Sequence, residues 1–223
     1  MSDASGRDGA FDDLLIPFPP QQARSEISTR RLLDAAAAVI SEVGYDRATL
    51  AAIGTRAGYS HGLVTRRFVT KENLVNSLVE HMIFSWDESV VRPAIAGHVG
   101  ADALIVILDA ICESLRRAPV EMRSLYALMF EALKPIPVLP ERMKHLHRSF
   151  VRDVAHHLRA GLKADVVPST IDPDREAGLF VATLRGCAYL WVLDPDRFDL
   201  VEMLGDLRVQ VIRTLQLREV VDE

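Results

Sequence analysis

The stretch "AGYSHGLVTRRFVTKENL", residues 57–74, decides how the rest of the chain is read. An apolar-periodic run ends at Ala57, "GYS" interrupts it, and a second short run follows from His61. Thr49 and Ser60 stand where N-caps belong, since a side-chain oxygen there accepts from the free amides of a first helical turn. A helix over Leu50–Ala57, a three-residue turn and a helix over His61–Arg67 make a helix-turn-helix. Ile53, Ala57, Val64 and Phe68 supply its small core. Gly54 gives the second helix room to approach, and Gly58 takes the positive φ that such a turn demands.

With those residues turned inward, His61, Leu63, Thr65 and Arg66 are left on the outer side of the second helix. The major groove of DNA admits one α-helix, and side chains near the helix N-terminus reach the base edges. An arginine there pairs with guanine through two hydrogen bonds, and a leucine meets a thymine methyl. Ser60 and Thr70 each open a helix, where free amides and the positive dipole end favour anions. Lys71 and Arg67 add positive charge beside them. An ordered set of donors within eighteen residues points to DNA, although any one of them alone would read as a cap or a solvated charge.

The surroundings are helical throughout. Residues 1–22, rich in Gly, Asp, Pro and Ser, read as a flexible arm. From Arg24, apolar residues recur at three-to-four spacing through Leu32, Ala36, Val39 and Val43, and Gly44 stands where a C-terminal cap belongs. Thr70 caps a helix running toward Trp86. Further helices are expected near 101–117, 121–133, 138–163, 173–193 and 198–219, with Pro119, Pro135, Pro137, Pro140 and Pro195 as breakers. No segment alternates with period two for long enough to make a strand. The expected fold is all-α: an arm (1–22), a helix-turn-helix domain (23–70) and a larger helical domain (71–223) joined through a connector helix over 71–86.

Composition excludes several classes. The 223 residues are 49% hydrophobic and 26% charged, as in an ordinary globular protein. No apolar run is expected to approach the roughly 20 residues that span a bilayer, and the N-terminus does not read as a signal peptide. Cys112 and Cys187 lie in apolar surroundings without metal-ligand spacing and read as buried and reduced, in a cytoplasmic protein. Net charge is −3 over residues 1–23, +2 over 24–81 and −4 over 82–223, which places the slight basic excess on the helix-turn-helix. GxSxG, Gly-rich phosphate loops, HExxH and CxxC do not occur, so no catalytic residue, cofactor or metal is expected.

Residues 30–80, "RRLLDAAAAVISEVGYDRATLAAIGTRAGYSHGLVTRRFVTKENLVNSLVE", resemble the N-terminal DNA-binding domain of TetR-type transcriptional regulators. The shared features are an alanine-rich first helix, "GY" before a capping threonine, "IGTRAGYS", and a phenylalanine, lysine and leucine in order. The resemblance implies phosphate contacts from Thr49, Ser60, Thr65, Arg67 and Lys71, with base reading by His61, Leu63 and Arg66. Three positions depart from the pattern. Thr65 replaces a common aromatic, Arg67 a common histidine or tyrosine, and Val69 a common proline or glycine. The balance shifts from stacking toward electrostatics.

Two-fold DNA sites are read by two-fold proteins, so a homodimer is expected. The helix near 173–193 is apolar on both sides. Phe180, Val181, Leu184, Ala188 and Trp191 form one stripe; Gly178, Ala182, Gly186, Tyr189 and Leu193 form the other. Together with Val211 and Leu215 of the last helix, Gly178, Ala182, Gly186 and Tyr189 are the expected dimer interface. The resemblance further implies a small-molecule effector held among the middle helices. Candidates for the pocket wall are Phe84, Trp86, Met122, Tyr126, Met129, Phe130, His147, Phe150, Thr183 and Cys187. The resulting expectation is a dimeric regulator, a repressor, released from a palindromic double-stranded operator by that effector. The alternative is an all-α adaptor or small-molecule-binding protein without specific DNA binding, which would keep its partner after Arg66, Arg67 and Lys71 are replaced by alanine.

Overall fold

The computed structural model describes residues 21–86, 90–133 and 139–215, which form α-helices and, among them, no strand. The N-terminal elements are α1 (Gln21–Arg47), α2 (Leu50–Ala57), α3 (His61–Phe68) and α4 (Lys71–Trp86). The larger part holds α5 (Arg92–Ile95), α6 (Gly100–Arg117), α7 (Pro119–Glu131), α8 (Leu139–Lys163), α9 (Pro173–Leu193) and α10 (Leu200–Leu215). The all-α expectation is met. The expected arm at 1–22 lies outside the described residues except for its last two, which already belong to α1.

Local chemistry explains most of the boundary differences. Gly44 leaves the helical region at φ 79° and ψ 164°, which is a kink and not the left-handed cap expected there, and the chain winds on to Arg47. Pro119 stands at the break expected between α6 and α7 and opens α7, whereas Pro140 does not break a helix but lies in the first turn of α8; in both places a missing amide costs nothing. α10 begins at Leu200, two residues later than expected, because the Asp199 carboxylate accepts from the amides of Val201 (2.7 Å) and Glu202 (3.2 Å). α5 was not expected, as four residues around Pro93 are too few to leave a periodic signal.

α1 is the hub of the N-terminal half. Leu32, Leu33, Ala36, Ala37 and Ile40 are buried against α2, α4 and α7. In the other half α8 and α9 run side by side, with α6 and α10 completing the packing. α6 and α8 meet backbone to backbone: a Cβ on Gly161 would stand 2.6 Å from the Gly100 Cα. Side chains there are excluded, so the close approach depends on this glycine pair.

α9 carries the two sides expected of it. Phe180, Val181, Leu184 and Ala188 are buried, whereas Leu179, Ala182, Thr183, Gly186, Tyr189 and Leu193 are exposed. The expectation that no apolar run approaches a bilayer's thickness is overturned here, because α9 is long and apolar enough by length and composition. Its inner stripe packs on α7, α8 and α10, as a core helix does.

Candidate nucleic-acid interface

The helix-turn-helix is built by caps. The Thr49 Oγ1 accepts from the Ala52 amide at 3.1 Å and the Ser60 side chain accepts from Leu63 at 3.3 Å. Between them Gly58 is left-handed (φ 76°, ψ 26°), and the Tyr59 amide donates to Gly54 O (2.8 Å) and the Gly58 amide to Thr55 O (3.2 Å). Those two crossed bonds satisfy carbonyls that the end of α2 would otherwise leave orphaned. Gly54 admits α3, since a Cβ there would lie 2.9 Å from Val64 Cγ2. Ile53, Val64 and Phe68 are buried as expected, and Ala57 packs against them partly buried.

α3 presents its other side outward. His61, Gly62 and Arg66 are exposed, and Leu63 and Thr65 are half-buried. The Thr65 hydroxyl donates to the His61 carbonyl at 3.1 Å and lies 3.3 Å from His61 Nε2, which holds the imidazole along the helix. Arg66 forms no hydrogen bond or ion pair with the described residues, so its guanidinium is uncommitted.

Two of the expected phosphate contacts are engaged elsewhere. Arg67 Nη1 donates to Ser25 O at 2.6 Å and to the Thr29 hydroxyl, tying α3 to the start of α1. Lys71 Nζ donates to the carbonyls of Tyr45 (3.0 Å) and Asp46 (3.3 Å) and sits 4.2 Å from the Tyr45 ring centroid. The arginine is long enough to reach across to α1, and carbonyls at the end of α1 attract the ammonium. Arg67 is thereby a tie between helices, and Lys71 keeps a single uncommitted proton. Burial, and then Glu72, whose carboxylate accepts from the phenol at 3.4 Å, push the Tyr45 hydroxyl up to about 12. It is a neutral donor at any physiological pH. Arg56, on the same module, is spent on Glu42 through bonds of 3.0 and 2.8 Å.

The expected pocket residues divide. Met122, Tyr126, Met129 and Cys187 are buried, with Phe130, His147 and Phe150 partly so, and all lie on α7, α8 and α9. Thr183 is a correction: it is exposed on the outer side of α9, its hydroxyl donating to Leu179 O at 2.9 Å. The side chains of Phe84 and Trp86 lie outside the described residues. Sequence reasoning missed Arg185, which stands between the Tyr126 and Phe150 rings with centroids 5.7 and 5.3 Å away. The signal was available, since Arg185 is the sole charged residue between Glu176 and Asp194. His147 Nδ1 lies 2.7 Å from Met143 O, and burial, chiefly, holds its pKa below the ordinary histidine value.

Among the expected interface residues, Val211 and Leu215 are corrected. They are 5% and 3% exposed within a single chain, because α10 turns that stripe toward α6 and α9. Ala182, Gly186 and Tyr189 face solvent beside Gly178, and Leu179 (52% exposed) and Leu193 (64%) extend that apolar surface along α9, while Val209 (44%) is exposed on α10.

Residues 32–78 match the family described as bacterial regulatory proteins, tetR family. The HTH-type transcriptional regulator BetI of Serratia proteamaculans is 34% identical over 71 residues, covering 32% of this chain and 36% of that protein. The chain thus matches about a third of that relative's length. Over the whole fold, a TetR transcriptional regulator from Chloroflexus aurantiacus superposes with a TM-score of 0.74 at 21% identity, covering 87% of this chain and 99% of that one. The SmeT–triclosan complex superposes with a TM-score of 0.73 at 21% identity, covering 88% and 95%.

Proposed function

With residues 32–78 belonging to the tetR family of bacterial regulatory proteins, we propose that this chain is a cytoplasmic, homodimeric repressor that leaves a two-fold operator when a small-molecule effector binds. Arg66 carries the reading: an exposed, uncommitted guanidinium on a capped helix whose opposite side is buried. A structural arginine finds a partner in its own chain, as Arg56 and Arg67 do; one held out on a rigid helix is available to base edges. Thr49, Ser60 and the free proton of Lys71 serve the phosphates, and His61, Leu63, Thr65 and Arg66 face the groove.

The partner surface is the outer side of α9. Small residues at 178, 182 and 186 allow helix axes to approach closely, and Leu179, Tyr189 and Leu193 supply apolar area. A second copy meeting this stripe sets the two α3 helices at a fixed separation, which the operator must match. SmeT is held with triclosan in its solved complex, and a comparable small molecule among α7, α8 and α9 would shift that separation.

The test is binding to duplex from the region upstream of the chain's own gene, followed by fluorescence anisotropy over rising salt. Specific binding that weakens linearly in log–log form is expected. Equal, weak affinity for upstream and scrambled duplex would overturn the reading.

A further inference from the structure

We propose that the effector is a small organic acid whose anionic head group pairs with Arg185 while its apolar body lies along Tyr126 and Phe150. This rests on reading the chain as an effector-responsive regulator. Arg185 interrupts an otherwise uncharged helix face over residues 177–193. Its Nε is fully enclosed and has no hydrogen-bond partner. No Asp or Glu pairs with it among the described residues; its polar surroundings are the Tyr126 hydroxyl and the half-buried His147.

An uncompensated cation in an apolar interior is strongly unfavourable, and folded chains normally supply a carboxylate. Here the negative faces of Tyr126 and Phe150 offset part of that cost, at centroid distances of 5.7 and 5.3 Å. Rings cannot accept the Nε proton as an oxygen does. A carboxylate can, because the planar guanidinium fork matches its two oxygens. Burial lowers the proton affinity of Arg185 and raises that of Tyr126, so the phenol stays neutral and does not serve as the counter-ion.

The surface beside His147 has the matching sign. A shallow depression of about 410 Å³ is lined by His147, Arg148, Val151, Arg152, Arg159 and Asp174, and His147 is common to it and to the surroundings of Arg185. Arg159 is paired there with Asp174 at 2.5 Å and Arg152 with the neighbouring Asp153 at 3.4 Å, which leaves Arg148 as the excess positive charge. The local field attracts anions and repels cations. A neutral oxygen could accept from Nε but would leave the buried charge uncompensated.

The full-length protein is titrated with decanoate, decanol and decyltrimethylammonium, and with naphthoate, naphthol and naphthylmethylammonium. Thermal shift and tryptophan fluorescence report binding, the latter in a Trp86→Phe background so that it comes from Trp191, whose ring lies 6.3 Å from that of Tyr126. At least one acid is expected to bind on the order of tenfold or more tightly than its matched alcohol and cation, since the alcohol carries no charge to pair with the guanidinium and the cation is repelled by it. Arg185→Met should erase this preference and raise the melting temperature of the unliganded protein; Arg185→Lys, should the first variant not fold, should weaken acid binding while keeping the preference. Equal binding of acid and alcohol, no binding of either acid, or an acid preference surviving in Arg185→Met would each overturn the proposal. Operator binding without added ligand separates the two readings. Retained operator binding with no response to acids removes the effector assignment alone, whereas absent operator binding removes the regulator reading and leaves the titrations to judge Arg185.

Discussion

The Ser124 hydroxyl lies 3.0 Å from the Ala37 carbonyl oxygen on α1 and 2.7 Å from the Val120 carbonyl oxygen on its own helix. A hydroxyl has one proton, so it donates to one carbonyl at a time. Ser124 is also fully buried, a polar group at the seam between the N-terminal helices and the larger part. Ser124→Ala is expected to lower stability by about 1 kcal/mol, the usual net worth of such a bond. Urea denaturation would show this as an earlier midpoint at unchanged slope.

Arg66 and Arg67 are adjacent in sequence and opposite in consequence. Arg66→Ala is expected to weaken operator binding by about 1–3 kcal/mol with no change in melting temperature. Arg67→Ala is expected to lower the melting temperature first, because it frees α3 from Ser25 and Thr29. Anisotropy titrations and thermal melts on the two variants would check the split, and the reverse pattern would sink the assignment of roles.

Val69 stands at φ 64° and ψ −52°, and the Thr70 amide donates to Phe68 O at 2.7 Å, closing a γ-turn. A β-branched residue is strained at positive φ. Its side chain is 66% exposed, so little packing is at stake. Val69→Gly is expected to stabilise by about 1 kcal/mol after the added freedom of the unfolded chain is counted. A rise of about 2–4 °C in the melting temperature would register it.

Gly161→Ala tests the opposite case. Its methyl would stand 2.6 Å from both Gly100 Cα and Val167 Cγ2. The gain in helix propensity, about 1 kcal/mol, is outweighed by overpacking against a backbone that cannot turn aside. A net loss of about 2 kcal/mol or more is expected in chemical denaturation.

Stability should fall in mild acid through His147. Burial, foremost, and then the nearby Arg185 cation favour its neutral form in the folded chain. The unfolded chain therefore takes up a proton first, near the ordinary value of 6.5, and protonation pulls toward unfolding as pH drops through that value. Above it the term is constant. His147→Gln should flatten the melting temperature between pH 7.5 and about 5.5 relative to the parent chain, a window set by the histidine reference value.

Much of this was legible because caps and periodicity are local. Thr49, Gly58 and Ser60 act within four residues of themselves, and so they specify α2, the turn and α3 without help from the rest of the chain. The two sides of α9 were readable for the same reason. What escaped was set by reach. Arg67 and Lys71 have long side chains, and only the placement of α1 shows that carbonyls and hydroxyls lie within their grasp. Val211 and Leu215 form as good a stripe as the outer side of α9, and nothing along the chain tells which stripe the other helices cover. Arg185 was visible as an anomaly, but that its Nε lacks a hydrogen-bond partner and that no carboxylate faces it are properties of α7 and α8.

The ties made by Arg67 and Lys71 restrict how a signal travels. α3 is pinned at its far end to the beginning of α1, and the start of α4 to the end of α1. The reading head has no independent swing. A displacement would then arrive as a tilt of the whole N-terminal block, through the packing of α7 on α1 and the ion pair between Arg142 on α8 and Glu80 on α4 at 2.6 Å. In the proposed dimer, two such blocks pivoting on a shared base would change their spacing far more at the tips than at the pivot, so that a shift of small amplitude in the body would become a mismatch with the helical repeat of DNA.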